Sequence, residues 1–423
     1  MMTQAFYTGI SGLKTYSNGI DVVSDNLANI STTGFRAYNA EYAPLFEESL
    51  ASASSNLHSS NSVGVGVQMQ ATSMSMAQGS LALSDRSTDL AIVGDGWFGV
   101  QGEGEPFYTR AGDFVFDTNN DLVTNDGYHV LGTMGGNISA DNVLTQTLVK
   151  VPLGDVSTQT KLRFPKNLTY PPEPTTNVKF MANLGVGKEG YEVITIGSNV
   201  IDSQNNRNEL RLRFEKSATQ TLPGTQWDVV ATVTSPDDTT VYDEKSGQIV
   251  FDENGALVSN TLTTINNNGT VVNIDLGSQY DGIVSIDIPV VPGSSIADGT
   301  IGGELEGYSI NENGEVVAAF TNGRQSSVGR IAVYHFQNNQ GLERITGTRF
   351  AKSSNSGEAI FFKDASGQNV IGTEITNFKL ESSNVAMSEG LTELIILQRA
   401  YDANSKSVTT ADQMIQKALQ MDA

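Results

Sequence analysis

The chain has 423 residues, enough for two or three domains, with 42 glycines, no cysteine and a net charge of -22. This charge argues against nucleic acid and anionic membranes as partners, because both attract clustered Lys and Arg. The lack of cysteine excludes disulfides and thiolate metal sites. No apolar run approaches the length of a membrane span, and the first 30 residues lack the regions of a cleaved signal peptide. We therefore expect no membrane span and no cleaved signal.

A heptad seam of apolar residues runs through the first 30 residues. Its members are spaced alternately four and three residues apart, which keeps one helical stripe towards a partner. The members are Met2, Phe6, Gly9, Leu13, Tyr16, Ile20, Val23, Leu27 and Ile30. The seam predicts a helix over residues 3–30 that ends near Gly34. Its many Gly and Ser residues predict a helix that orders only when it is packed.

A second heptad row lies at the other end of the chain. Its members follow in steps of seven and predict a helix from about residue 385 to residue 420, with Gly390 as a candidate break. The members are Met387, Leu394, Tyr401, Val408 and Ile415. A parallel row is small or polar and consists of Leu397, Asn404, Ala411 and Ala418. The simplest partner for each terminal helix is the other one, or copies in other chains. We expect the row from Met387 to Ile415 to make the contact within the chain.

Between these helices the patterns are those of β-strands. Residues 49–62 are rich in Ser, Ala and Asn and predict a linker or mobile loop, which we expect to act as slack between layers. Strands are predicted at residues 90–93 and 97–100, joined by a tight turn, and a meander follows over residues 108–132. Residues 331–336 predict a strong strand.

A proline cluster and a short repeat mark the organisation of the middle. Prolines around Tyr170 predict a stiff connector, so a domain boundary is expected between residues 150 and 177. Residues 116–123, 251–258 and 310–317 share the order strand, polar turn, strand. Repeated use of the same hairpin turn is sufficient to explain this repeat.

The sequence contains no convincing motif for a catalytic, nucleotide or metal site. Residues 94–99 match the dinucleotide fingerprint, but no helix follows them. Asp117, Asn119 and Asp121 have the first spacings of a calcium loop, but the hinge glycine and the final glutamate are missing, which favours a polar β-turn. The histidines lack metal-ligand neighbours and are His58, His129 and His335. We therefore assign no catalytic, metal or cofactor residue, and expect an assembly protein rather than an enzyme.

Several sequence blocks are more specific. They read ISGL at residues 10–13, DNLANISTTGFR at 25–36, TDLAI at 88–92, YTRAGDF at 108–114, LESSNV at 380–385, LIILQRAY at 394–401 and TTAD at 409–412. In this order they resemble the blocks of the bacterial flagellar rod and hook axial protein family. The family motif residues here are Asn26, Leu27, Ala28, Asn29, Thr33, Gly34, Phe35, Arg399, Ala400 and Tyr401.

Within the family, the hook-type members are the better match. The β-rich insertion at residues 151–304 and the returning segment at 303–317 resemble theirs, whereas distal rod members lack such an insertion. A distal rod protein or another axial paralogue is the alternative within the family. A secreted β-rich binding protein with helical oligomerising ends is the alternative from another class.

The resemblance implies an α+β fold with a discontinuous, nested architecture. The terminal helices would form a coiled-coil-like inner domain, and two mainly-β domains of sandwich or barrel type would lie outside it. The implied boundaries are 1–30 and 385–423 for the helical domain, 31–70 for a connecting segment, 71–150 and 305–384 for an inner β domain, and 151–304 for an outer β domain. The helix residues expected to carry assembly are Phe6, Leu13, Tyr16, Ile20, Leu27, Leu394, Tyr401, Val408 and Ile415.

The resemblance also implies partners and a location. The family forms homopolymers whose subunits leave the cell through the flagellar type III export apparatus without a cleaved signal. The implied partners are further copies of the chain, the flagellar rod, and the hook cap and hook–filament junction proteins. The implied location is the extracellular flagellar hook or basal body, where a hook-type tube acts as a universal joint that passes torque from rod to filament.

Overall fold

The computed structural model describes residues 2–45, 47–49, 62–186, 193–220, 223–288 and 291–421. Two long helices stand at the ends of the chain, α1 at Met2–Ala28 and α2 at Met387–Met421. They pack against each other in antiparallel order, since Gly9 of α1 meets Val408 and Leu27 meets Gly390. Strands fill the chain between them.

Both helix boundaries differ slightly from the prediction. α1 ends at Ala28 rather than near Gly34, because the Asn29 side chain donates a hydrogen bond to the Asp25 carbonyl (2.8 Å) and the chain turns there. α2 is not broken at Gly390, whose N–H donates to the Ala386 carbonyl at 3.0 Å. That glycine instead makes room for Leu27, whose Cδ2 would lie 3.0 Å from a Cβ.

A β ribbon follows α1 in the segment predicted to connect the domains. Its strands are β1 (Tyr38–Pro44), β2 (Glu47–Ser49), β3 (Ser62–Gly64) and β4 (Val67–Met74). β1 pairs antiparallel with β4, and β2 pairs with β3. Of the loop predicted at residues 49–62, only the ends are described and both belong to strands; residues 50–61 lie outside the described residues. The segment is therefore a paired ribbon where it is described.

The first β body begins after the ribbon. Its first strands are β5 (Leu81–Leu83), β6 (Leu90–Val93), β7 (Trp97–Gln101), β8 (Phe107–Thr109), β9 (Phe114–Phe116), β10 (Leu122–Thr124), β11 (His129–Met134), β12 (Thr160–Lys161) and β13 (Thr169–Tyr170). A short 3₁₀ helix at Val156–Thr158 lies among them.

The second β body is formed by the next strands. They are β14 (Asn177–Asn183), β15 (Ile194–Ile201), β16 (Arg207–Lys216), β17 (Thr225–Thr234), β18 (Val241–Phe251), β19 (Leu257–Asn260), β20 (Thr264–Asn267), β21 (Thr270–Asp275), β22 (Gly277–Ser278), β23 (Asp281–Val284) and β24 (Val291–Ala297). One sheet is an antiparallel array from β15 to β19, and the other is centred on β14. Apolar side chains of both sheets, among them Phe180, Phe214, Trp227 and Ile265, form one buried cluster. This is the arrangement of a β-sandwich.

The chain then returns to the first body. The returning strands are β25 (Gly303–Ile310), β26 (Glu315–Phe320), β27 (Gln325–Ile331), β28 (Val333–Tyr334), β29 (Glu343–Thr346), β30 (Arg349–Ala351), β31 (Phe362–Lys363), β32 (Asn369–Val370), β33 (Glu374–Asn377) and β34 (Lys379–Glu381), with a 3₁₀ helix at Asn339–Gly341. A 13-stranded sheet joins strands from both passages, and the buried cluster of the first body, which includes Trp97, Phe98, Phe114 and Ile331, packs on it. We call this the first buried cluster and that of the second body the second buried cluster.

Two strand predictions need correction. β6 and β7 exist as predicted, but they do not pair with each other: β6 pairs with β33, and β7 with β8, β11 and β28. The predicted strand at residues 331–336 is divided between β27 and β28. Ala332 separates them and its N–H donates to Leu131, so the two halves join different neighbours.

The predicted hairpin repeat is confirmed and has a common hydrogen-bond pattern. In each copy the first Asp or Asn accepts backbone N–H groups two and four residues later through Oδ1. At Asp117 these bonds are 2.7 and 2.9 Å, at Asp252 2.9 and 2.8 Å, and at Asn311 3.0 Å each. Asp202 and Asp364 make the same pair of bonds. The Asp117 carboxylate therefore serves the turn, as the β-turn interpretation predicted.

The predicted α+β fold class with terminal helices and nested β regions is confirmed. The second buried cluster is formed by residues between 178 and 283, inside the sequence interval that the first cluster spans. No helix within the described residues is long and apolar enough to cross a membrane.

Candidate assembly interface and its anchor

Glycines of α1 form the contact with α2. A Cβ atom at Gly9 would lie 2.6 Å from Val408 Cγ2, and one at Gly12 would lie 2.6 Å from Asn404 Oδ1. Any larger residue would push the helices apart, since side chains in a packed interface sit near van der Waals distance. The small residues that make α1 a poor isolated helix are therefore the ones that let α2 approach.

The α2 face that meets α1 combines residues of both rows, since Val408 of the predicted row contacts Gly9. Leu397 and Ala411 are each 5% exposed, and they belong to the small or polar row. In the predicted row, Tyr401 is 39% and Met387 55% exposed. Val408 makes the predicted contact with Gly9. Asn404 at Gly12 and Leu397 at Gly19 belong to the small or polar row, because the glycines of α1 leave room for side chains of either row.

The residues predicted to carry assembly flank this contact. Eight are half-buried: Phe6, Leu13, Tyr16, Ile20, Leu27, Leu394, Val408 and Ile415. The ninth, Tyr401, is exposed. The structure thus places all nine on the two paired helices, and their role between subunits stays a prediction.

Many large apolar side chains of the helix pair remain exposed. Large apolar side chains on both helices are at least 39% exposed, and they are Tyr7, Ile10, Met387, Leu391, Ile395, Ile396, Tyr401, Met414 and Leu419. We call these nine residues the outer apolar face. So many exposed large apolar residues on one pair of helices favour a site of protein association.

The family motif after α1 forms a tight turn against the first β body. Thr32 Oγ1 bonds Asn29 Oδ1 at 3.1 Å, and Phe35 is buried. Gly34 has a φ of +67°, and a Cβ there would come closer than 3.0 Å to the backbone of Ala111. Both facts require glycine at this position.

The other motif residues have different surroundings. Asn26 is buried, while Leu27, Asn29, Thr33 and Ala400 are half-buried. Ala28 and Arg399 are exposed. The motif residues therefore do not form one cluster: they lie at the end of α1, in the following turn and midway along α2.

A buried carboxylate anchors the helix pair to the first body. Glu381, at the end of β34, receives Arg110 Nε at 2.8 Å and Arg36 Nη2 at 3.1 Å, and the Gly79 N–H at 3.0 Å. All three charged side chains are at most 4% exposed. Two positive groups thus share one negative group in a site without solvent access, where each charge depends on the others.

The two arginines reach into separate parts of the chain. Arg110 donates to the Gly96 carbonyl at 2.7 Å and the Ile92 carbonyl at 3.2 Å, and Arg36 donates to the Ala77 carbonyl. Burial lowers the pKa of Arg36 from its usual value, and the Glu381 carboxylate opposes that shift. The network therefore ties the turn after α1 to the first β body.

Asn384 completes the anchor. Its Oδ1 accepts the Ala37 N–H at 2.7 Å, and its Nδ2 donates to the carbonyls of Ala77 (2.8 Å) and Ser75 (3.2 Å). One amide thus joins the segment before α2 to the ribbon and the strand that follows it. Sequence reasoning quoted Arg36, Glu381 and Asn384 within motifs but gave them no role. Their place within the quoted motifs was the available signal.

A polar cleft of about 410 Å³ opens beside this anchor. Its walls include Thr32, Thr33, Asp113, Asn125 and Thr348. Asn125 Nδ2 donates to Asp113 at 2.6 Å, and burial raises the pKa of that carboxyl group. No group of three His, Asp or Glu residues suited to a metal ion occurs in the part of the chain that the structure describes.

Comparisons with known proteins show which families the chain is similar to. The family model "Flagella basal body rod protein" matches residues 6–36, "Flagellar hook protein FlgE/F/G D1 domain" matches 91–168, and "Flagellar basal body rod FlgEFG protein C-terminal" matches 378–421. In these three regions the chain is similar to the flagellar rod and hook axial protein family. The first and last matches include parts of both terminal helices, and the middle match lies in the first β body.

Several hook proteins are similar to this chain over almost its whole length. The flagellar hook protein FlgE of Borreliella burgdorferi is 27% identical, with 99% of this chain and 100% of that protein covered. The FlgE proteins of Salmonella typhimurium and Brucella suis are 28% and 29% identical, with coverage of 97% and 96% of this chain and 98% and 96% of theirs. The crystal structure of Helicobacter pylori flagellar hook protein FlgE2 aligns with a TM-score of 0.49 and 16% identity, over 71% of this chain and all of that one.

Proposed function

We propose that this chain is the repeating structural subunit of a bacterial flagellar hook, a helical tube that transmits torque from rod to filament. The hook proteins named FlgE that match 96–99% of this chain support the proposal, as do the family models at both ends. The observation that carries it is the outer apolar face, because copies of the chain stacked in a tube would remove that surface from water.

The helix pair is the part of the subunit best suited to the centre of the tube. Its two helices bury glycines and small residues between them and turn large apolar residues outward. Neighbouring helix pairs could therefore pack along the tube without any change in the contact within one chain. We assign the inner domain to residues 1–30 and 385–423 on this basis.

The two β bodies would lie further out. We assign residues 71–150 and 305–384 to an inner β domain and residues 151–304 to an outer one. The two separate buried clusters support two β domains, but Leu162, Phe164 and Tyr170 belong to the cluster of the first body, which favours a first boundary closer to residue 177. Each cluster is closed by its own sheets, so each body could move as a unit when the tube bends. The role is mechanical, and no chemical step is needed for it.

The proposed partners follow from the family. Besides further copies of the chain, they are the rod, the hook cap, the hook–filament junction proteins and the flagellar export apparatus. The proposed location is the hook outside the cell.

Ile396→Asp tests the assembly proposal. Ile396 is 61% exposed, so the charge should leave the helix pair and the bodies folded and should prevent tube formation. Val258→Asp is the matched control, since Val258 is 66% exposed on the second body and outside the helices. Electron microscopy should show tubes from the control and none from Ile396→Asp. Normal tubes from Ile396→Asp would contradict the proposed interface.

A further inference from the structure

Two side-chain amides grip the base of the β ribbon from opposite sides. On one side, Asn26 of α1 accepts the Tyr38 N–H through Oδ1 at 2.9 Å and donates to the Tyr38 carbonyl through Nδ2 at 2.7 Å. On the other side, Gln340 accepts the Met74 N–H through Oε1 at 2.8 Å and donates to the Met74 carbonyl through Nε2 at 2.6 Å.

The two gripped residues face each other in the ribbon. Tyr38 of β1 is opposite Met74 of β4, at the end of the ladder nearest the first body. In an antiparallel ladder, alternate residue pairs point both backbone groups away from the partner strand. The adjacent pair, Ala37 and Ser75, is hydrogen-bonded, since the Ser75 N–H donates to the Ala37 carbonyl at 2.7 Å. The backbone N–H and C=O groups of Tyr38 and Met74 therefore point away from the partner strand, and the two side-chain amides bond to them.

This arrangement needs amides and not carboxylates. An amide side chain offers one donor and one acceptor in one plane, which matches the N–H and C=O of an extended residue. An ionised carboxylate accepts only, so it would meet the backbone carbonyl with an unfavourable lone pair. The geometry of the contacts therefore requires Asn or Gln at positions 26 and 340, and another polar side chain would not make both bonds.

Each amide is fixed to a different part of the molecule. Asn26 is buried near the end of α1. Gln340 lies in the 3₁₀ helix of the first body, where the Asn338 side chain accepts its N–H at 3.1 Å. The neighbouring Asn339 accepts Trp97 Nε1 at 3.1 Å, which ties this helix to the buried core.

The gripped strands are also attached to the first body by their side chains. Met74 is a member of the first buried cluster, and Tyr38 packs against it. The Arg344 guanidinium lies 5.4 Å from the ring centroids of both Phe35 and Tyr38, and its Nη1 bonds Asp25 Oδ2 at 2.9 Å. Helix, ribbon and body therefore meet at this one place.

We propose that Asn26 and Gln340 form a clamp that fixes the angle between the helix pair and the first β body. They are positioning residues, since they act through the ribbon strands that they hold. The inference rests on the proposed function in one respect: in a tube, the clamp sets how stiffly the helical core is joined to the outer layers.

The first test removes the amide of Gln340 and measures the hydrogen bond that Asn26 makes on the other side of the ribbon. Gln340→Met keeps the side-chain length but removes the donor and the acceptor, and Gln337→Met is the control at an exposed glutamine three residues away. Hydrogen exchange is measured in the full-length monomer. If the two amides act together, exchange at the Tyr38 N–H, which Asn26 holds, rises about fivefold in Gln340→Met and stays unchanged in the control. An unchanged Tyr38 rate in Gln340→Met would overturn the clamp.

A second variant changes the amide on α1. Asn26→Asp keeps the acceptor for the Tyr38 N–H and loses the donor, so Met74 exchange should rise on the far side of the ribbon. Asn18→Asp is the control with the same charge change on α1, because Asn18 lies about two helical turns before the contact between Asn26 and Tyr38. Equal Met74 rates in the two variants would also overturn the clamp.

Tubes then test the positioning role. Bending stiffness is measured by electron microscopy from the spread of curvature in tubes of Gln340→Met and Gln337→Met. We expect a broader spread, or no tubes, from Gln340→Met alone. Faster exchange with an unchanged spread would overturn the positioning role. If the unmodified chain forms no tubes, the proposed function and the positioning role both fail, whereas an unchanged Tyr38 rate in a tube-forming chain refutes the clamp alone.

Discussion

Glu381 should be one of the most sensitive positions for stability. Its carboxylate neutralises two buried guanidinium groups, those of Arg36 and Arg110. Glu381→Gln keeps the shape but removes the charge, and it leaves two like charges close together without solvent. Breaking a buried ion pair by removing one partner costs about 3–5 kcal/mol. Because two arginines lose their partner, we expect the unfolding free energy of the first body to fall by an amount in the upper part of this range.

The two tryptophans of the chain make the assay specific. Trp97 lies in the first buried cluster and Trp227 in the second. In a Trp227→Phe background, urea unfolding followed by fluorescence reports the first body, and in Trp97→Phe it reports the second. Glu381→Gln should shift the first transition strongly and leave the second within about 0.5 kcal/mol.

The control is a surface pair of the same chemistry. Lys352 Nζ lies 3.0 Å from Glu358 Oε2, and the Glu358 side chain is 80% exposed. Glu358→Gln should cost less than about 1 kcal/mol. If Glu381→Gln costs no more than this control, or shifts both transitions equally, the account of the anchor is wrong.

Three further predictions use the same reporters. Asp117→Ala should lower the unfolding free energy of the first body, and Asp252→Ala that of the second, each by about 1–2 kcal/mol through two lost turn hydrogen bonds; effects on the opposite body would contradict this. Gly34→Ala should cost about 1–3 kcal/mol because of its positive φ, and a neutral result would refute the strain. His335 is buried with Nδ1 unpaired and Nε2 at 2.6 Å from the Ile371 carbonyl, and burial lowers its pKa from the usual 6.5. Because the unfolded chain then binds the proton more readily, stability should fall as the pH drops below about 6.5; His335→Phe should reduce that fall in urea titrations at pH 7 and 5, and an identical fall would exclude His335 as the cause.

Periodic features of this fold could be predicted from sequence because their signals are local. The heptad seams predict both helices to within a few residues, since the apolar period is imposed by the helix itself. The Asx hairpins were visible as a repeat because one side chain and its own turn supply every bond.

The remaining features depend on contacts between distant residues. Nothing near Leu397 shows that residues of its row, together with Val408, meet the glycines of α1. The pairing of β6 with β33 joins residues that lie far apart in sequence, so the short turn after β6 suggested the wrong partner. Likewise, the bonds of Glu381 to Arg36 and Arg110 arise only when three separate segments converge.

The central claim is that the terminal helices drive assembly into a tube. Electron microscopy of the purified full-length chain against a chain of residues 31–384 tests it most directly, with both β bodies checked by tryptophan fluorescence. We expect tubes from the full-length chain, and folded monomers without tubes from the truncated one. Small closed oligomers from the full-length chain, or tubes from the truncated one, would contradict the claim.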